Sequence, residues 1–315
     1  MPAARPSLAR LVGTLSYQQV LLGDARRNRA FERALAARVR PGASVLDLGA
    51  GTGVWAVRAA TLGARRVVAV EREAVLVPLI EALAREAGVL DKVEVVRADA
   101  RRVRLGREFD VVVGELVGND AFEEGLVPVF ERARSFLRPG GALVPEWVAL
   151  VAAPVVAPLR PGLSPPFLPS ASLAALSLHI PRNLRPDELR PLAPGRELFR
   201  LDLRSARAAD RLPTARVRFR VRDGRAVGGI AVWVVMGLAP RLTLATRAGT
   251  HWLPTILPVE PQPRGPGELA VEIDWNSGRR RWSTRFTRPG GRAHAAHYSP
   301  LFAWGSVRAA LRRRR

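Results

Sequence analysis

Apolar residues recur along this chain in two rhythms, and the change between them falls near residue 145. From Asp24 to Val39 the spacing predicts a helix, with Phe31, Leu35 and Val39 four residues apart, Asp24 as its cap and Pro41-Gly42 as the break. Short apolar runs then alternate with helical patterns. SVLDL (44–48), RVVAVE (66–71), KVEVVRAD (92–99) and FDVVVGE (109–115) read as strands. Gly53–Leu62, Ala74–Ala87 and Phe122–Leu137 read as helices, the last stopped by Arg138-Pro139-Gly140-Gly141. Alternation of this kind, with strands apolar on both faces, predicts a parallel sheet covered by helices on both sides. After Val144 helical periods fade. RVRFRVRD (216–223), GGIAVWVVMGL (228–238), ELAVEIDW (268–275) and RRWSTRF (280–286) read as antiparallel strands.

The chain is therefore expected to be an α/β protein with a Rossmann-like domain followed by a β-barrel-like one. N-terminal helices fill 1–43, the parallel sheet 44–145, and the β-domain 146–286. A proline-broken, arm-like insertion spans about 162–193, and a basic tail runs over 287–315 with a short helix at Val307–Arg313.

Composition sharpens this only in places. Cysteine is absent, which excludes disulfides, a thiolate nucleophile and a Cys-based zinc site; no metal is expected. Met1–Arg10 lacks the apolar core of a secretory signal, and Trp147–Leu159 and Ile230–Leu238 are too short to span a bilayer, so a cytoplasmic protein without a membrane partner is expected. Formal net charge is +22, and Lys92 is the single lysine among 50 basic residues. Codon bias in a GC-rich genome yields such an arginine excess. Its distribution is uneven, however: net +4 over 1–150 and +18 over 151–315, ending in four arginines. The C-terminal half offers either a solvated surface or a dock for RNA or an acidic protein.

VLDLGAGTG (45–53) joins the first strand to its helix. Gly49, Gly51 and Gly53 allow a sharp turn and a close backbone approach to a ligand. Asp47 precedes the turn, Glu71 ends strand two and Asp99-Ala100 ends strand three. An acid at the second position can accept both ribose hydroxyls. A carboxylate and amide at the third can hold an adenine edge. A nicotinamide dinucleotide is the rival ligand, but the spacing departs from G-x-G-x-x-G. The set resembles class I S-adenosylmethionine-dependent methyltransferases.

After strand four such enzymes often carry a D/N-P-P-Y/F tetrad; this chain has Gly114-Glu115-Leu116-Val117. Glu115 and Glu124 lie nine residues apart with Gly118 between them, a spacing Glu123 does not keep. Two carboxylates suit a guanidinium, a planar cation with five N–H donors. The stretch resembles the double-glutamate loop of protein arginine methyltransferases. Asp24, Arg27 and Phe31 match that family's D-x-x-R-x-x-x-Y pattern with Phe for Tyr, and Thr250-His251-Trp252 matches its T-H-W loop. The resemblance covers roughly Tyr17–Phe286. It implies methyl transfer from S-adenosylmethionine to a guanidinium nitrogen, with Glu115 and Glu124 as the clamp. His251 paired to Asp24 would manage the proton. Arg27 would contact the cofactor carboxylate and orient a glutamate, and the arm would close a homodimer.

The sequence departs from the family at Leu253-Pro254, at Leu126 where a Met is common, and in an aromatic segment reduced to Tyr17. Tyr17, Leu126 and Trp252 are thus the expected acceptor pocket. The acceptor is an arginine-containing protein or, alternatively, a small guanidino or amine compound. A cofactor-binding module docking RNA or an acidic protein is the third reading.

Overall fold

The computed structural model describes residues 8–106, 108–119, 121–122, 124–156, 182–183, 189–247, 249–259, 263–275, 281–291 and 293–298. Two compact units are present. The first gathers Met1–Val148, Leu201–Ala208 and Val235–Trp252; the second gathers Ala149–Arg200, Ala209–Val234 and Leu253–Arg315.

In the first unit, α1 (Leu8–Gly23) and α2 (Ala25–Arg38) precede a five-stranded sheet. Its strands are β1 (Ser44–Leu48), β2 (Arg66–Glu71), β3 (Val93–Arg97), β4 (Phe109–Val113) and β5 (Leu137–Val144), in the order β3-β2-β1-β4-β5, all parallel. Every residue of β1 is buried, as a central strand between two helical layers requires. Strand order reverses between β1 and β4, so loops leaving their carboxyl ends open a crevice there.

Helices α3 (Val54–Thr61), α4 (Val77–Glu86) and α5 (Leu126–Ala133) are shorter than the periodicity predicts. Pro78 sits in the first turn of α4, where its missing N–H is harmless, so the helix starts there and not at Ala74. Gly125 adopts φ +78° as the N-cap of α5, which moves the start from Phe122 to Leu126 and leaves Glu124 on a loop. Arg138–Gly141 does not merely stop a helix. It runs inside β5 as a bulge, Phe109 pairing with Leu137 while Val111 pairs with Ala142, and Gly140 supplies φ +79°. β4 ends at Val113, which frees Gly114-Glu115 from the ladder.

The second unit is antiparallel. β10 (Ala215–Val221), β14 (Gly267–Asp274), β15 (Arg281–Thr287) and β16 (His294–Tyr298) form one sheet in that order and include three of the four expected strands. The fourth is β11 (Gly229–Ala239), whose residues 229–232 pair with β13 (Thr255–Pro258). β11 then continues into the first unit, where Val235–Ala239 pairs with β12 (Leu242–Ala245). β13 also pairs with β7 (Arg182–Asn183), and β6 (Trp147–Val156) carries β8 (Arg190–Pro191) and β9 (Arg196–Asp202). β6 lacks the alternation that marks a half-exposed strand because it is buried almost throughout. Most of the expected arm, the helix at 307–313, the tail beyond Tyr298, and Glu123 lie outside the described residues. Among the described residues no helix is long and apolar enough to cross a membrane.

Candidate functional site

The turn after β1 is built on left-handed backbone: Gly49, Gly51 and Gly53 have φ of +74°, +58° and +83°. A Cβ on Gly51 would meet Gln18 Oε1 of α1 at 2.9 Å, and one on Gly53 would meet Ile80 Cγ2 of α4 at 2.7 Å. Glycine is thus required both by conformation and by close packing. Asp47 supports the turn from beneath. It is fully buried, its Oδ2 accepts the Ala56 amide of α3 at 3.0 Å, and Oδ1 has no partner. Burial, with Glu71 nearby, pushes its carboxyl up to about 7. Glu71 holds the opposite side of the turn, accepting the Gly51 and Glu73 amides at 2.8 Å each. Asp99 takes the Arg101 amide at 2.9 Å and the Arg101 guanidinium on both oxygens, with Nη2–Oδ2 at 2.6 Å. The Arg101 guanidinium draws the Asp99 carboxyl down to about 2.

Just past β4, Glu115 Oε2 accepts from Arg27 Nε at 2.9 Å and Nη2 at 2.7 Å, while Oε1 accepts the Val117 amide at 3.1 Å. Both side chains of this pair are only 6% exposed, so it is a buried, charge-assisted contact. The Arg27 guanidinium also stacks over Trp55, 5.3 Å from the ring centroid. Asp24 caps α2 by accepting the Arg27 amide at 2.8 Å. Its other oxygen accepts the His251 amide at 2.7 Å and faces His251 Nδ1 at 2.8 Å. Burial works to raise the Asp24 pKa, but the bonds from Arg27 and His251 outweigh it and hold the carboxyl below its ordinary value. His251 Nε2 is buried without a partner. Trp252 packs on His251 at 4.1 Å between centroids and donates Nε1–H to the Val117 carbonyl at 2.6 Å. Tyr17 of α1 stands edge-on to His251 and donates its hydroxyl to Glu124 Oε1 at 3.2 Å. Burial, then the charges of Glu124 and Glu115, raise the Tyr17 pKa, so it stays a donor.

A cavity of about 540 Å³ in the first unit collects much of this set. Tyr17, Arg27, Gly49, Gly51, Glu71, Asp99, Ala100, Glu115 and Glu124 line it. Asp24, Asp47, Gly53, His251, Trp252 and Leu126 are not among its lining. The first five touch or support residues that are, directly or through Val117. Leu126 is wholly buried as the first residue of α5, and Phe122, Gly125 and Val129 line the cavity from that stretch instead. Thr14, Gln18, Trp55 and Arg101 also line it, and sequence reasoning did not single them out. Trp55, two residues beyond the glycine turn, was the one with a readable signal.

A methyltransferase-domain family matches residues 45–141. An arginine N(omega)-methyltransferase of Streptomyces achromogenes subsp. streptozoticus is 29% identical over 273 residues, covering 81% of this chain and 75% of its own length. Protein arginine N-methyltransferase 6 of Xenopus laevis is 31% identical over 144 residues, 45% of this chain and 42% of its own. Among solved structures, the Trypanosoma brucei PRMT1 enzyme-prozyme heterotetrameric complex with AdoHcy superposes with a TM-score of 0.78 at 16% identity, over 90% of this chain and 97% of that one. Arabidopsis thaliana protein arginine methyltransferase 10 gives 0.76 at 17%, over 91% and 98%. At such identities the superpositions establish a shared fold.

Proposed function

We infer that this chain, an S-adenosylmethionine-dependent methyltransferase with the fold of the arginine methyltransferases, moves a methyl group onto a guanidinium nitrogen of an arginine. The observation that carries the reading is that Glu115 and Glu124 line one cavity with the glycine turn and the acids after β2 and β3. Those residues suit the cofactor: the turn excludes Cβ atoms, and the carboxylates of Glu71 and Asp99 line the same cavity as candidate acceptors. Glu71 would take the ribose hydroxyls, and Asp99 with the Ala100 amide the adenine edge. Bound there, S-adenosylmethionine supplies an electrophilic methyl group.

The remaining work falls to the chain. Glu115 and Glu124 accept N–H bonds from two nitrogens of the acceptor guanidinium and draw its positive charge toward them. The third nitrogen keeps more lone-pair density and is held for in-line attack; positioning of this kind is worth up to ~7–11 kcal/mol in favourable systems. Arg27 holds Glu115 and Tyr17 donates to Glu124, which orients both carboxylates before the acceptor binds. Asp24 pins Nδ1 of His251 as the protonated nitrogen, which leaves the Nε2 lone pair to take the released proton by relay, since Tyr17 and not His251 lines the cavity.

The names of the sequence relatives share the guanidinium and differ in its carrier. We take the carrier to be a protein. In the full chain, Glu124→Gln should retain cofactor binding by calorimetry and abolish labelling of arginine peptides by mass spectrometry. Loss of cofactor affinity would sink the clamp role, and labelling of free arginine alone would change the carrier. A homodimer in the cytoplasm completes the proposal. α1 exposes Leu8, Val12, Leu15, Val20 and Leu22, apolar surface that a second copy would cover.

A further inference from the structure

The charge of the second unit has no part in methyl transfer as described above. β10 is the end strand of its sheet among the described residues, and its burial alternates strictly. Ala215, Phe219 and Val221 face inward, while Arg216, Arg218 and Arg220 are exposed and exposed Arg222 follows. Register places Arg216 opposite Glu272, Arg218 opposite Ala270 and Arg220 opposite Glu268 on β14, and sets Arg285 of β15 opposite Ala270. One open face thus carries five arginines against Glu268, Glu272 and the half-buried Asp274 at its end. Glu272 accepts from Arg216 at 2.8 Å, and Glu268 from Arg218 at 3.5 Å. Arg220, Arg222 and Arg285 have no acceptor among the described residues. Successive arginines on β10 lie about 6.8 Å apart, two residues of strand rise.

We propose that this face binds the phosphate backbone of a single-stranded nucleic acid, and that the strand bridges the enzyme to a cationic substrate. Arginine forks suit phosphate oxygens, and a row at regular spacing follows a backbone without reading bases. The same face is poorly suited to a protein partner. Its outward residues on β10, β14 and β15 are arginine, glutamate, Asp274, serine, threonine and Ala270, with no aromatic or large apolar anchor. The bridging half rests on the guanidinium reading. An arginine-rich substrate and a chain of net charge +22 repel one another, and a polyanion between them removes that barrier.

Fluorescence anisotropy of a labelled oligouridylate with the full chain, without cofactor, tests the binding half. The log–log salt slope should be shallower by about 2 in the R220Q/R222Q/R285Q variant, three contacts at ~0.7 each. It should be unchanged in R40Q/R85Q/R104Q, which removes exposed arginines of the first unit. Equal changes in both variants, or no binding, would overturn the assignment. Displacement of the oligonucleotide by polyglutamate of matched charge at equal potency would assign the face to an acidic protein instead. Methylation of a cationic arginine-rich peptide should rise and then fall as oligonucleotide is added, the signature of a bridge, while a neutral single-arginine peptide should not respond. Turnover of the neutral peptide without biphasic response of the cationic one would end the bridge alone. No turnover of either would end the guanidinium reading and leave the binding result standing.

Discussion

Asp47 is the residue whose replacement most directly separates support of the glycine turn from charge. Its carboxyl is fully buried, keeps one bond to the Ala56 amide, and has its pKa raised by burial from 3.8 to about 7. A carboxyl raised on folding favours the folded state below its unfolded pKa and costs stability as pH climbs to the folded one. The window is therefore pH 4 to 7. A shift of roughly 3 units at 1.36 kcal/mol each puts the cost on the order of 4 kcal/mol, constant above pH 7. Asp47→Asn keeps an acceptor for Ala56 and cannot ionise. Its amide leaves a buried unpaired donor, an offset of ~1–3 kcal/mol independent of pH. Urea unfolding of both proteins at pH 4.5, 5.5, 6.5, 7.5 and 8.5 gives the difference curve. Carboxylates with lowered pKa, Asp24, Asp99 and Asp223, lose their contribution as pH falls, equally in both proteins, and cancel. The wild type should lose ground to the variant up to about pH 7 and hold level beyond it. A flat difference, or one that favours the wild type as pH rises, would refute the buried-charge argument.

Trp252→Phe should cost about 1–2 kcal/mol by leaving the Val117 carbonyl without its donor, seen as a lower urea midpoint at unchanged m-value. Because the Val117 amide also holds Glu115, turnover should fall more than cofactor affinity, read by calorimetry against steady-state labelling. Gly51→Ala places a Cβ 2.9 Å from Gln18 Oε1 in left-handed backbone and should weaken cofactor binding. Adding Gln18→Ala should recover part of that loss, since the side chain yields and the backbone strain of about 1–2 kcal/mol does not.

What could be read in the sequence follows a physical division. Glu71, Asp99 and Glu115 were legible because each ends or follows a strand of a parallel sheet, and the carboxyl ends of such strands face the crevice regardless of loop detail. His251 and Asp24 are 227 positions apart, and no local pattern joins them; the resemblance supplied the pair and the geometry gives it a 2.8 Å contact. Leu126 was misplaced for a reason internal to the loop. Counting from Glu124 put it on the pocket wall, but Gly125 in left-handed conformation caps α5 so that Leu126 is its first residue, and that side chain is wholly buried. Gln18 and Arg101 escaped because a polar residue on a helix or an exposed arginine after a strand carries no signal until a cavity is seen beside it. Arg101 shows the consequence. The acid expected to hold an adenine edge is gripped by a guanidinium on both oxygens, so its acceptor strength is set by a neighbour two positions away. Residue type and strand end were enough to put acids at the cavity, while the partners that hold those acids are fixed by backbone geometry no periodicity encodes.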